Sequence, residues 1–160
     1  MPTDDFRRFT LVRNTADIMA MREVRNVCRH WMTHDSSRIS IIRQLRWYRN
    51  FYRPLNKKGR VYGFIVRVGG KTAGYGLVTY REGVWWLSGG LHGKFRGKGH
   101  GEFLFASMRD FVYYTLDQPA VVLDVLPNNH GAIALYKKLG FKVHHSHDDR
   151  IIMVFQGGKL

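Results

Sequence analysis

Residues 84–101 read Val84-Trp85-Trp86-Leu87-Ser88-Gly89-Gly90-Leu91-His92-Gly93-Lys94-Phe95-Arg96-Gly97-Lys98-Gly99-His100-Gly101. The stretch opens with β-branched and aromatic residues and ends in a turn with glycines at 97, 99 and 101. Leu104, Met108, Phe111, Val112 and Thr115 then recur at helical spacing, which predicts a helix from about 99 to 115. Strand, glycine turn and helix together make an anion site. Glycines let the backbone approach a phosphate closely, the first N–H groups of the helix are unpaired, and its dipole favours negative charge. Arg96 and Lys98 add positive charge beside it. A Walker loop needs a hydroxyl after its Gly-Lys pair, and Gly97-Lys98-Gly99 has none.

Upstream, Val61–Val68, a Gly69-Gly70 turn, Lys71–Tyr80 and an Arg81-Glu82-Gly83 turn lead into the run at Val84. Residues 61–92 are therefore predicted as a three-stranded antiparallel meander. A Rossmann fingerprint belongs to an early βαβ unit, so a glycine turn after a meander argues against one. Nearer the N-terminus, Phe9–Val12 reads as a strand. Asp17 to about Met32 reads as a helix, with Ile18, Met21, Val24 and Cys28 on its apolar face. A second helix is expected from Ser40, its N-cap, to Tyr52. Its core face would carry Ile41, Ile42, Leu45, Tyr48 and Phe51, and Pro54 would end it.

Downstream, Ala120–Leu126 is apolar except for Asp124, the pattern of a strand buried on both faces. Asn129–Leu139 is a short helix stopped by Gly140, and strands at 141–145 and 150–155 close the chain. The order implies an α/β (α+β) fold with helices on both faces of a mixed sheet. Residues 1–160 suit a single domain.

The net charge is +14, and 14 of the 26 basic residues but only 5 of the 12 acidic ones fall in the first 60 positions. A field of that sign concentrates anions at the surface. Arg43, Arg46, Arg49 and Arg53 form a stripe at helical spacing, interleaved with Trp47, Tyr48, Phe51 and Tyr52. Arginine among aromatics suits phosphate and base contacts. One cysteine excludes an intrachain disulfide and fits a reducing compartment, and the start lacks the apolar core of a signal peptide. A cytoplasmic protein with no membrane span is expected, as a monomer or homodimer. His30 and His34, and the group His144, His145 and His147, match no defined metal motif, so no metal is expected. Trp85 and Trp86 must point to opposite faces, one into the core and the other toward an acceptor cleft.

Two motifs together resemble a known family. Arg96-x-x-Gly99-x-Gly101 is similar to the pyrophosphate loop of the GNAT (Gcn5-related) N-acetyltransferases. Asn129-His130-Gly131-Ala132-Ile133-Ala134-Leu135-Tyr136-Lys137-Lys138-Leu139-Gly140-Phe141 resembles their downstream signature. The N-terminal third is loosely similar to the subgroup of amino-sugar and ribosomal-protein N-terminal acetyltransferases. The resemblance implies a mostly antiparallel sheet of about six to seven strands, splayed to admit acetyl-CoA. It implies that the backbone of Phe95, Arg96, Gly97, Lys98, Gly99, His100 and Gly101 holds the pyrophosphate. Leu91, His92 and Gly93 would pair with the pantetheine, and Asn129 would contact the cofactor arm. Tyr136 would protonate the departing thiolate, and a strand N–H near Leu91 would stabilise the oxyanion.

Many members carry a glutamate base on the strand before the loop, and Val84–His92 has no carboxylate. His92, Asp124, His34 and Asp35 are the candidate bases. The resemblance also implies that the first two helices border the acceptor, which puts His34, Asp35, Arg43, Arg46 and Trp47 beside it. The expected activity is acetyl transfer to a primary amine on an anionic acceptor: a nucleic acid, a nucleotide-linked amino sugar or a polyanion-bound protein. The competing reading is a catalytically silent acyl-CoA- or nucleic-acid-binding module on the same fold.

Overall fold

A computed structural model describes residues 6–158. Seven strands form one sheet: β1 (Arg7–Leu11), β2 (Val61–Val68), β3 (Lys71–Arg81), β4 (Val84–Leu91), β5 (Ala120–Val125), β6 (Lys142–Ser146) and β7 (Ile151–Gln156). Their order across the sheet is β1-β2-β3-β4-β5-β7-β6. The meander is as predicted. Its two hairpin turns have left-handed residues at both central positions, Gly69-Gly70 and Glu82-Gly83, the geometry that matches strand twist.

Among the described residues only β4 and β5 run parallel. They pair at just two positions, Trp85 with Val121 and Trp86 with Val122. Beyond those pairs β4 continues to Leu91 with β3 as its partner, and β5 continues to Val125 with β7 as its partner. The two strands therefore diverge, and the wedge between them is the opening on which the site is built.

One core lies between the sheet and two helices, α4 (His100–Asp110) and α5 (His130–Lys138). It joins Trp85, Leu87, Leu123 and Val125 to Leu104, Met108, Tyr136 and Phe141. The other face is covered by α1 (Thr15–Val27). Ile18, Met21, Val24 and Cys28 pack there on Val61, Ile65 and Tyr75. Asn14 caps α1 by accepting from the Asp17 N–H at 2.9 Å, while Asp17 accepts from the Arg13 N–H at 2.9 Å.

Three expectations are corrected. The helix predicted from 17 to 32 stops at Val27, and a single tight turn follows at Arg29–Trp31. Pro54 does not end the second helix. That element runs as α2 (Ile41–Trp47), a wide turn (Tyr48–Tyr52) and α3 (Arg53–Lys57). In the wide turn the Arg53 N–H reaches back five residues to the Tyr48 carbonyl, and Pro54, with no N–H to satisfy, follows it.

The buried face of this segment also differs from expectation, with Tyr48 the one expected residue that packs against the core. Ile41 and Ile42 are 54% and 70% exposed, and Leu45 and Phe51 also lie at the surface. Gln44 and Tyr52 are buried instead. Gln44 Nε2 donates to the Ile18 carbonyl at 3.3 Å, and the Tyr52 hydroxyl accepts from the Gly63 N–H at 2.8 Å. Apolar residues occur on every side of this helix, so its periodicity left the face open, and these polar contacts fix it.

Candidate active site

The turn after β4 is built for close approach. The His92 N–H closes the strand onto the Ala73 carbonyl at 2.7 Å. A short turn at Gly93–Phe95 follows, and Gly97 and Gly99 then take φ of +75° and +82° before α4 begins. Only glycine adopts that conformation at little cost. A Cβ at Gly97 would project into open space, so the bare backbone there faces outward. No side chain caps α4, which leaves its first N–H groups directed at the turn. From β1, Arg7 Nη1 donates to the Gly99 carbonyl at 3.2 Å and steadies the loop.

Behind this turn lies a cleft of about 540 Å³ in the wedge between β4 and β5. Its walls are the Ser88–Leu91 edge of β4, Asp124 and Val125 of β5, Gly101 and Phe105 of α4, and Gly131, Leu135 and Tyr136 of α5. Arg96, Gly97, Gly99 and Asn129 also face it. Asn129 Oδ1 caps α5 by accepting from the Ala132 N–H at 3.3 Å. His92, Gly93, Phe95, Lys98 and His100 stand outside the cleft wall. His92 Nδ1 turns away to the Lys94 N–H at 3.4 Å, and His100 is buried beside Phe95. His92 thus stands beside the cleft rather than in its wall, with Nδ1 engaged at Lys94.

Asp124 is the polar centre. Thr33 Oγ1 donates to its Oδ1 at 2.8 Å, and His34 Nε2 meets its Oδ2 at 2.7 Å. The carboxylate is 9% exposed while the His34 side chain is 51% exposed, so the pair spans from the cleft wall to solvent. Arg150 Nη1 stands 3.9 Å from Oδ2. Tyr136 is buried in the cleft wall, edge-on to Phe105 at 4.9 Å. Burial first, and then the negative charge of Asp124, push its phenol well above the ordinary tyrosine value. The hydroxyl therefore keeps its proton through the neutral range.

Thr33 and His34 reach Asp124 because the segment after them is clamped to α1. Asn26 exchanges two hydrogen bonds with the Ile39 backbone, at 2.9 and 2.8 Å, and Arg22 Nε donates to the same carbonyl at 2.8 Å. The buried Arg25 guanidinium donates to the Asp35 and Ser37 carbonyls. Asp35 accepts from the Ser37 N–H and hydroxyl and pairs with Arg43, contacts that hold its carboxyl far below the usual range. Asp35 and Arg43 are thus parts of the clamp. Trp47 packs on Phe51 and Tyr52, with ring centroids 5.7 and 5.5 Å away, and Arg46 is exposed. Of the five residues expected beside an acceptor, only His34 touches the Asp124 centre.

Several cleft residues carried no signal in the sequence. Thr33 meets Asp124 across 91 positions, and Trp31 and Met32 line the cleft from the tight turn after α1. Cys28 lines it too: a Cβ added at Gly90 would lie 2.4 Å from its Sγ, so Gly90 is what lets α1 approach β4. Among the described residues no group of three or more His, Cys, Asp or Glu could hold a metal ion, and no helix is long and apolar enough to cross a membrane.

Comparison with known proteins agrees with this architecture. Spermidine N-acetyltransferase from Vibrio cholerae, solved in complex with CoA and spermine, superposes with a TM-score of 0.79 at 16% identity, over 96% of each chain. Ribosomal-protein-S5-alanine acetyltransferase from Vibrio fischeri gives 0.75 at 15% identity, over 96% of this chain and 94% of that one. The putative acetyltransferase yncA from Salmonella typhimurium, solved with acetyl-CoA, gives 0.75 at 19%, over 96% and 95%. No curated protein matches the chain. The family profile described as "Acetyltransferase (GNAT) domain" matches residues 4–142, most of the sequence, and the protein accordingly belongs to the GNAT acetyltransferases.

Proposed function

We propose that the protein transfers an acetyl group from acetyl-CoA to a primary amine carried by an anionic acceptor. The observation that carries this reading is Asp124. A carboxylate stands in the wall of the wedge, tied to an exposed histidine, and shares the cleft with a buried tyrosine. The missing glutamate of β4 is thereby replaced from β5.

The residues fit acetyl-CoA. Gly97 and Gly99 expose backbone where a phosphate would lie, the N-terminus of α4, which has no side-chain cap, opens there, and Arg96 adds charge. Glu102 on the first turn of α4 is neutralised by Lys138 at 2.9 Å. Beyond Trp86 the edge of β4 has no partner in β5, so its peptide groups are available to an extended arm. Acetyl-CoA supplies an acetyl thioester and departs as the thiol.

The chain's own residues do the rest. Asp124 attracts the acceptor's ammonium group. The Asp124–His34 pair takes up one proton from it, and the solvent-facing ring of His34 passes that proton out. The amine nitrogen then forms its bond to the acetyl carbon while a β4 N–H near Leu91 stabilises the developing oxyanion. The C–S bond breaks, Tyr136 gives its proton to the sulfur, and the second proton of the acylated nitrogen returns to the Tyr136 oxygen as the amide forms. Holding the reactants in one wedge supplies much of the rate.

The test is thiol release from acetyl-CoA with pooled primary amines, followed by mass spectrometry of the products. Acetylated amine is the expected result. Tight CoA binding with no turnover on any amine would replace this reading with a silent binding module.

A further inference from the structure

A second groove, of about 310 Å³, lies on the sheet face that carries the Asp124 side chain. Val122, Ile152 and Val154 line it, and Trp86, Arg81 and Arg150 stand around them. Trp85 is in the core with α4, so Trp86 necessarily faces the other way, as do Val122 and Asp124 on β5, where Val121, Leu123 and Val125 join that core. The groove begins where the acetyl-CoA cleft ends, because Arg150 belongs to it and stands 3.9 Å from the Asp124 carboxylate.

Its polar groups are the Arg81 and Arg150 guanidiniums, the Trp86 indole N–H and His144, with Glu82 as the one carboxylate. The Trp86 indole N–H is buried and has no hydrogen-bond acceptor among the described residues, an arrangement native proteins seldom leave unused. The Arg81 guanidinium lies over the same ring, 4.3 Å from its centroid. Arg150 approaches Asp124 only at a distance beyond hydrogen-bonding length, so that contact leaves its donors available. Two guanidinium forks and an indole N–H beside an apolar floor suit a planar or tetrahedral anion.

We propose that this groove is the acceptor's second subsite and binds an anionic group, a carboxylate or a phosphate, carried some way from the amine. Val122 and Asp124 are two residues apart on one strand face, so the anion sits about 7 Å from the reacting nitrogen. The spacing rests on the reading that the amine is deprotonated at Asp124. Amines with a second positive charge at that distance would meet Arg81 and Arg150 and be rejected.

The experiment uses the 160-residue protein with CoA and two matched pairs: glucosamine 6-phosphate with glucosamine, and the C-terminally amidated dipeptide Ala-Glu-NH2 with Ala-Gln-NH2. The four tryptophan indole N–H resonances are followed by nitrogen-edited NMR, and Trp86→Phe identifies the one that matters. The Trp86 signal is expected to shift with the anionic member of at least one pair and not with its neutral twin. Arg81→Gln should weaken that binding about tenfold. The pair that responds separates phosphate from carboxylate. No shift with either anion, an equal shift with the neutral twin, or indifference to Arg81→Gln overturns the proposal. The readout needs no turnover. If the selective shift persists while Asp124→Asn proves fully active, the base assignment fails and the groove stands.

Discussion

Asp124→Asn separates a catalytic carboxylate from a structural one. Asparagine keeps the shape of the side chain, and its carbonyl oxygen still accepts from Thr33, now 2.8 Å away. The changed contact is with His34 at 2.7 Å, where an amide N–H meets a ring nitrogen that must then act as acceptor. Losing one charge-assisted bond of this kind costs about 1.5–3 kcal/mol, at the lower end here because the histidine is largely exposed. Folding should therefore survive with a modestly lower melting temperature. Activity should suffer more. A positioned general base contributes about 10²–10⁴-fold, so kcat/KM should fall at least about 100-fold, or about 2.7 kcal/mol of barrier. The assay pairs steady-state thiol release with calorimetric titration of CoA, whose Kd should stay within about threefold because the anion turn is untouched. His34→Gln keeps a donor toward Asp124 but takes up no proton, and should cost about tenfold or more. A kcat/KM for Asp124→Asn within threefold of the parent would refute the assignment.

Tyr136→Phe should lower kcat about 100-fold with little change in CoA affinity, measured by the same two assays, since only the proton for the thiolate is removed. An unchanged kcat would mean the tyrosine only packs against Phe105. Gly90→Ala should cost about 1–3 kcal/mol in urea unfolding, because its Cβ would fall 2.4 Å from Cys28 Sγ. Adding Cys28→Ala should recover part of that loss, a positive coupling that an unrelated strand effect would not produce. Asp17 is pulled two ways. Burial raises its pKa, but the Arg13 N–H and the Arg67 guanidinium at 2.8 Å outweigh it and leave the carboxyl depressed. Its contribution is present above the unfolded value of about 4 and is lost as pH falls through the lower folded value. Asp17→Asn should therefore be less stable than the parent by about 1–2 kcal/mol at neutral pH, the two converging in strong acid.

The parts of the fold that could be read in advance are those whose cause is local. Glycine pairs at 69–70 and the Glu82-Gly83 turn dictate hairpins because left-handed φ is needed at adjacent positions. The strand–turn–helix at 84–115 is fixed by glycines and a helical apolar period, and the lone polar residue of β5 marked Asp124 as unusual. What escaped reading has a nonlocal cause. Nothing near His34 in the chain indicates that it meets a carboxylate 90 positions away. The face that α2 buries depends on a glutamine finding the Ile18 carbonyl, which no hydrophobic period encodes. His92 held a strand position beside the phosphate turn, and the bend at Gly93–Phe95 used its ring nitrogen as a cap.

Part of the basic excess has a structural use in this fold. Arg22, Arg25 and Arg29 all donate to backbone carbonyls of the 36–39 stretch or its neighbour Asp35, and Arg43 joins them through Asp35 and Ser37. A loop without regular structure leaves carbonyls unpaired, and long cationic donors satisfy several at once. These four arginines shape the loop that delivers Thr33 and His34, and Asp35 is the one partner among these contacts that carries an opposing charge. In the proposed subsite the charge that selects an acceptor lies where the acceptor's body would extend from Asp124, and Arg81 and Arg150 stand there beside Glu82. On this argument two arginines outside the N-terminal third govern acceptor choice. Reversing Arg46, at the exposed face of α2, should change acceptor preference less than neutralising Arg81.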